Sequence, residues 1–330
     1  MSPGTFTPEP FVPRRGFTGA HRMTLAGNFL PREDRLPPPE ERLFEVEPGV
    51  QVLCHCHWQK DRATAITLII VHGLEGSSRS QYVIGTANKA YAAGMNAVRM
   101  NMRNCGGTEK LGATLYHSGL SSDVAAVVAT LARDEHLSRI ALAGYSMGGN
   151  LVLKCAGEWA DSPPPQVRAV CAISPTVDLS ASVDAIHRRR NFIYEAKFLW
   201  GLNRRFRRKA ALFPDRYQVN GLGWLRSIRE FDDRITAPHS GFRDAEDYYF
   251  RAAAARVVER IRVPTLIVHA ADDPFVRLTP ETRAKISTNP SITFIETDHG
   301  GHCAFLAAQD GYDGRWAERQ IVRFVQQLAG

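Results

Sequence analysis

The sequence predicts the α/β class: a mostly parallel central sheet with helices on both faces, interrupted by one helical insertion. Three observations predict it. Between residues 65 and 173, short apolar and β-branched runs alternate with stretches of helical periodicity. The alternation lapses from about 176 to 260, where the chain is helical in character, aromatic and basic, and then resumes. A Gly-x-Ser-x-Gly pattern, Gly144-Tyr145-Ser146-Met147-Gly148, stands at one of the strand-to-helix junctions.

Residues 1–40 are rich in Pro and Arg, show no sustained periodicity, and read as an N-terminal arm over a core or a partly ordered tail. Residues 41–330 are expected to form one domain. Leu43–Glu47 and Val50–Trp58 read as a hairpin turned at Pro48-Gly49. Ala65–Val71 is a continuous apolar run, as in a strand covered on both faces. Ser80–Ala93 reads as a helix stopped by Gly94. A strand follows at Met95–Met100, and a helix at Ser121–Arg133 with Asp123 in its first turn. Arg139–Ala143 is a strand, Leu151–Trp159 a helix and Val167–Ile173 a strand. After the insertion come Thr265–His269 (strand), Pro280–Ile286 (helix), Ile292–Ile295 (strand) and Arg315–Leu328 (helix). An insertion leaving the carboxyl end of a strand should cap the edge where open α/β sheets bind ligands.

Composition narrows the function class. The 330 residues are 44% hydrophobic and 23% charged, which excludes wholesale disorder. The longest strongly apolar run, Ile66–Val71, is far below the roughly 20 residues of a membrane span. The N-terminus lacks an apolar signal core, so a cytoplasmic location is expected. Six scattered cysteines read as reduced thiols. Cys54-His55-Cys56-His57 hints at a metal, but no second pair stands at zinc-like spacing. The formal charge is +7, with nine Lys and Arg between Arg188 and Lys209 among Phe192, Ile193, Tyr194, Phe198, Leu199, Trp200 and Phe206. The preferred reading is a cap helix with its apolar face over a pocket and its basic face in solvent. Peripheral contact with an anionic membrane is the second reading, and nucleic acid the weakest.

The chemistry-bearing residues are ordered along the chain. A bare Gly-x-Ser-x-Gly arises by chance about 0.1 times in a chain of this length. Here the strand Ile140–Ala143 runs directly into it and a helix follows, the setting of a nucleophile elbow that lifts Ser146 above the sheet edge. A serine hydroxyl needs a base to take its proton. A carboxylate should follow one of the last strands and a histidine the final one. Asp272-Asp273-Pro274 follows Thr265–Ala270, and His299-Gly300-Gly301-His302 follows Ile292–Glu296. Asp273 is preferred to Asp272 because Pro274 fixes a turn after it, and His302 to His299 because two glycines free its approach. The loop beginning His72-Gly73-Leu74 should supply the Leu74 amide to an oxyanion hole, beside the Met147 amide at the helix N-terminus. His72 itself reads as structural. This Ser146, Asp273, His302 order is that of the α/β-hydrolase fold, acting on an ester by acyl transfer to water without metal or organic cofactor. An acyltransferase with the same residues, or a catalytically silent binding protein on the same scaffold, are the alternatives.

Several longer segments carry a resemblance. His72–Tyr82 (HGLEGSSRSQY), Arg103–Gly107, Leu115–Gly119, Phe231–Pro238 with Gly241-Phe242, Ala271–Phe275 and His299–His302 resemble the motifs of the YheT-like (AB hydrolase 4) family of α/β-hydrolases. The resemblance spans most of the chain. It implies hydrolysis of carboxylic esters, from short acyl esters to lipids, and carries the roles of nucleophile, acid and base onto Ser146, Asp273 and His302. Two departures, Asn104 in place of Gly and Met23-Thr24 where the family has Gln, are expected to lie away from these three residues.

Overall fold

A computed structural model describes residues 6–219 and 221–329. Residues 1–5 of the arm, residue 220 of the insertion and residue 330 lie outside the described residues. The strands are β1 (Glu40–Glu47), β2 (Val50–His57), β3 (Thr67–Val71), β4 (Asn96–Met100), β5 (Ile140–Tyr145), β6 (Val167–Ile173), β7 (Thr265–Ala270) and β8 (Ile292–Thr297). They form one sheet in the order β1-β2-β4-β3-β5-β6-β7-β8. The β1–β2 and β2–β4 pairs are antiparallel and the others parallel. The helices that matter for the site are α1 (Ala20–Phe29), α2 (Gln81–Ala92), α3 (Ser121–Asp134), α4 (Met147–Trp159), α5 (Leu179–Ile186) and α6 (Phe192–Leu212).

Every residue of β3, β4, β5 and β7 is buried. This is why the β3 segment reads as a continuous apolar run rather than an alternating one, while β4 and β7 also bury Asn96, Arg99, Thr265 and His269. Alternation survives as a division between two cores. Ile69 and Val71 pack with α3 and α4, while Leu68 and Ile70 pack with α2 and the C-terminal helix Trp316–Ala329. From β3 the chain crosses to β4 on one side and returns to β5 on the other, so the loops after β3 and β5 leave the sheet at a switch point in strand order.

Between β6 and β7 the described chain is helical or irregular. It comprises α5, α6, a five-residue π-helical stretch at Asp232–Thr236 and the helix Ala245–Ala252. No helix among the described residues is long and apolar enough to cross a membrane.

Two local expectations change. The arm contains a helix, α1, although its sequence has no apolar stripe. Its buried residues are Met23, Thr24 and Gly27. Gly27 sits so close to the domain that a Cβ there would lie 2.4 Å from Ala304 Cβ. Backbone proximity therefore replaces the apolar face that periodicity would detect. Arg32, which donates to Glu318 Oε1 at 2.9 Å, and Trp316, whose indole donates to Glu9 O at 3.1 Å, tie the arm down on either side. Helix α4 begins at Met147, not Leu151, because its first turn, Gly148-Gly149-Asn150, is made of poor helix formers chosen by packing.

The loop after β4 is anchored by a buried ion pair. Arg103 donates from Nε and Nη2 to both Asp123 carboxylate oxygens, at 2.7 and 2.5 Å. Asp123→Ala would leave that guanidinium buried with its principal partner gone. We expect a loss of about 3 kcal/mol in stability, seen as a lower urea midpoint at unchanged m-value; an unaltered midpoint would contradict this account.

Candidate active site

The β5–α4 turn is defined by what cannot fit beside it. Ser146 has φ of +53°, in the left-handed region, a conformation that costs about 1–3 kcal/mol and needs surrounding structure to hold it. A Cβ on Gly144 would lie 2.2 Å from Gly148 O, and one on Gly148 would lie 2.4 Å from both Val71 O and His72 O. Both glycines are thus steric requirements of the elbow. The Ser146 N–H donates to Ile173 O at 2.9 Å, which fixes the turn to β6.

The structure brings Ser146, His302 and Asp273 together. His302 Nε2 lies 2.9 Å from Ser146 Oγ, and His302 Nδ1 lies 2.9 Å from Asp273 Oδ2. Asp273 is 0% exposed. Its other oxygen accepts from the Phe275 and Val276 amides at 3.1 and 2.9 Å, the turn that Pro274 initiates. With Nδ1 protonated and donating to Asp273, Nε2 is left to accept from the serine hydroxyl. The Phe275 ring packs 4.3 Å from the imidazole, between ring centroids. Burial disfavours the imidazolium, but the Cys303 sulfur, 3.6 Å from Nε2, and the Asp273 carboxylate outweigh it and raise the pKa of His302 above the ordinary histidine range.

Asp272 and His299 form a second pair beside this one, with Asp272 Oδ2 3.4 Å from His299 Nδ1. Asp272 Oδ1 also accepts from the Gly301 amide at 2.9 Å, so this carboxylate braces the loop that carries His302. Gly301 has φ of +57°, and a Cβ there would meet Thr24 Oγ1 at 2.7 Å.

Thr24 corrects one expectation. It was expected to lie away from the three residues, yet its Oγ1 accepts from the His302 backbone N–H at 2.9 Å while donating to Ala20 O at 2.7 Å. Nothing in the sequence signals this contact, because it joins residues 278 positions apart and Thr24 sits in a segment without periodicity.

The loop after β3 runs beside Ser146: a Cβ on Gly73 would lie 3.1 Å from Ser146 Cβ. Tyr82 Oη accepts from the Gly73 amide at 2.9 Å and holds the loop there. The Leu74 and Met147 amides have no backbone acceptor among the described residues. His72 is wholly buried, with Nδ1 2.8 Å from Gly73 O and Nε2 accepting from the Met102 amide at 3.1 Å. Burial lowers its pKa to about 4, so it stays neutral and cross-links two loops.

Three of the nine cap cations are tied to the loops beneath the cap. Arg205 donates to Glu75 Oε1 and Oε2 at 3.0 and 3.2 Å, and Tyr116 donates to the same carboxylate at 2.5 Å. Arg208 pairs with Glu109 at 2.6 Å. Lys209, fully buried, donates to Asn104 Oδ1 at 2.6 Å, to Glu109 O at 2.7 Å and to Gly112 O. Glu75 and Arg205 line the spaces that Ser146 opens onto, and their pairing escapes pattern reading, since partners 130 positions apart leave no local signal. Asn104, expected to lie away from the three residues, lines the chamber that Ser146 opens onto and receives the buried Lys209.

Ser146 opens onto two spaces. An inner chamber of about 110 Å³ lies under the cap, lined by Met147, Leu179, Ile186, Phe198, Leu202 and Phe206 among others. An outer cleft of about 390 Å³ lies between α1 and α6, lined by Leu74, Tyr194, His302 and Cys303 among others.

A family model described as the alpha/beta hydrolase fold matches residues 66–308. The proposed esterase YheT of Escherichia coli (strain K12) is 34% identical over 322 residues, 94% of this chain and 91% of that protein. Phospholipase ABHD3 of Mus musculus is 27% identical over 81% of this chain and 65% of its own length. The monoacylglycerol lipase of Saccharomyces cerevisiae is 28% identical over 78% of this chain and 58% of its own length. The chain thus spans less than two thirds of the mouse and yeast relatives. Among solved structures, an esterase of Pyrococcus furiosus superposes with a TM-score of 0.58 at 15% identity, over 88% of this chain and 91% of that one, a likeness of fold. The chain belongs to the α/β-hydrolase fold family, among its YheT-like esterase- and lipase-type hydrolases.

Proposed function

We propose that this chain hydrolyses carboxylic esters through an acyl-enzyme on Ser146. The observation that carries the reading is the unbroken line of contacts from Ser146 Oγ through His302 to buried Asp273. His302 Nε2 takes the serine proton as Oγ attacks the ester carbonyl, and the carbonyl oxygen becomes an oxyanion beside the Leu74 and Met147 amides. The imidazolium formed is stabilised by Asp273. It then gives the proton to the departing alkoxide, and the alcohol leaves. Water, deprotonated by His302, attacks the acyl carbon and frees the acid and Ser146.

The two spaces divide the substrate. The alkoxide must sit within reach of Nε2, and His302 lines the outer cleft. The alcohol portion therefore occupies the outer cleft, and the acyl group the apolar inner chamber. The names of the relatives, a proposed esterase, a phospholipase and a monoacylglycerol lipase, support small-molecule or lipid esters as the substrate class.

Hydrolysis of an ester panel from acetate to palmitate, with fluorophosphonate labelling, tests this reading. Ser146→Ala should abolish labelling and lower turnover by at least about 10⁴-fold; wild-type turnover in that variant would sink the proposal. Asp273→Asn should lose about 10⁴-fold in kcat, as a triad acid does when the tautomer is lost. Asp272→Asn should lose far less, and the reverse ranking would exchange the two roles.

Only neutral His302 can accept the serine proton, and its pKa is raised. Activity should therefore rise with pH through a midpoint above 6.5, the ordinary histidine value, and be lost below it. A kcat/KM profile with its acid limb below that value would contradict the assignment.

Thr24→Val keeps the shape of the side chain but removes the acceptor for the His302 amide. One hydrogen bond of about 1 kcal/mol corresponds to roughly a fivefold loss. The loss should appear in kcat rather than KM, with the thermal midpoint little changed.

A further inference from the structure

The mouth of the outer cleft is framed by large apolar side chains that the fold leaves in solvent. Phe29, at the end of α1, is 72% exposed; Phe192, Ile193 and Trp200, on the first half of α6, are 67%, 70% and 55% exposed. Phe29, Ile193 and Trp200 line the same cleft as Ser146 and His302. With Leu25, five of the ten exposed large hydrophobic residues found among the described residues lie on α1 or the first half of α6, and a sixth, Leu212, ends α6. Isolated exposed apolar residues need no explanation, but a contiguous group around a site entrance does.

Cations are interleaved with this group. Lys197 Nζ lies 5.5 Å from the Phe29 ring centroid, and the Arg204 guanidinium 5.0 Å from that of Trp200. Arg188, Arg189 and Arg190 precede α6 and are exposed. Unlike Arg205 and Arg208, none of these five has a carboxylate at ion-pair distance among the described residues. Helix α1 contains no acidic residue, and the one in α6, Glu195, is buried. The ties of Arg205, Arg208 and Lys209 thus separate cap cations that hold the fold from outward cations without a carboxylate, two of which, Lys197 and Arg204, stand beside aromatic rings.

We infer that this rim is an interfacial surface that seats on an anionic lipid bilayer, so that an ester in the leaflet it faces enters the cleft directly. The inference rests on the hydrolase reading for its purpose, though not for its binding test. Exposed apolar side chains flanked by Lys and Arg around one cleft mouth are the composition that partitions into an anionic headgroup region. A second copy fits less well, because a two-fold contact through this face would bring its unpaired cations against each other. Nucleic acid would use the cations but give protruding Phe192 and Ile193 no partner.

Vesicle sedimentation of the full-length Ser146→Ala protein separates binding from turnover. The protein should co-sediment with phosphatidylcholine vesicles containing about 30% phosphatidylglycerol, bind at least tenfold less to phosphatidylcholine alone, and be released by 0.5 M salt, since about one Debye length shrinks below the contact distance. The double variant Phe192→Glu/Arg204→Glu lies outside the catalytic residues and the cleft lining. It should lose at least tenfold in vesicle binding while wild-type Ser146 in that background still hydrolyses a soluble short ester normally. Phe250→Glu, at an exposed site elsewhere on the insertion, should bind vesicles like the parent. Absence of vesicle binding, equal binding to neutral vesicles, or an unaffected double variant would overturn the inference. A dimer in analytical ultracentrifugation that the double variant abolishes would reassign the face to self-association. Vesicle binding without hydrolysis of any ester by the wild type would sink the catalytic reading and leave the surface standing.

Discussion

Steric exclusion at the turn between β5 and α4 is the constraint on which the rest of the site depends. A serine held at φ +53° exposes its hydroxyl because the chain reverses there without room for side chains on either flank. Gly144 faces the backbone of Gly148, and Gly148 faces the end of β3, so the elbow also sets the distance between the β3 and β5 loops. That distance places the Gly73-Leu74 backbone against Ser146. The position of one strained residue thereby fixes both where the proposed nucleophile stands and which loop amides lie beside it.

A second constraint acts on the proposed base, His302. The loop carrying His302 is gripped from three directions: Asp273 at the ring, Asp272 at the Gly301 amide and Thr24 at the His302 amide. Gly300 is equally tight, since a Cβ there would lie 2.5 Å from the Phe305 ring. Imidazole orientation is therefore over-determined, which is what proton transfer over a hydrogen-bond distance requires. The arm contributes to this grip through α1. A segment that reads as peripheral in sequence is, in space, part of the wall behind the base.

The degree to which the sequence exposes these features follows from how local each one is. Strands β3, β5 and β7 are legible because both faces are covered and their runs are mostly apolar and β-branched. The elbow is legible because its glycines are demanded by contacts within five residues and across one neighbouring strand. The choice between Asp272 and Asp273, or His299 and His302, is legible only as a preference. Both members of each pair are used, and a difference of one or three positions decides which meets Ser146. Helix α1 escapes notice because its packing uses Gly27 rather than an apolar face. The pairs Glu75–Arg205, Asn104–Lys209 and Thr24–His302 escape because each joins residues at least 105 positions apart. Charge in the cap is legible as composition but not as direction, since the helix places Arg205 and Arg208 on carboxylates and Arg204 in solvent.

The cap is stitched unevenly, and the unevenness locates its weak side. On the flank over the β3 and β4 loops, α6 is held by Arg205 on Glu75, by Arg208 on Glu109 and by buried Lys209 on three oxygens. Close packing adds to this, since a Cβ on Gly201 would lie 2.3 Å from Glu75 Oε2. On the flank facing α1, the side-chain contacts are slighter: the His21 ring stacked on Tyr194 with Nδ1 3.1 Å from its hydroxyl, and Lys197 over Phe29. Breaking the first set strands buried charges, whereas breaking the second exposes groups that are already partly wet. The seam between α1 and α6 is therefore the less tightly held side of the site, and the loop that carries the Leu74 amide the more tightly held one. That seam is the outer cleft, so the side on which the proposed mechanism releases the alcohol is also the side where the cap is held by partly wet groups.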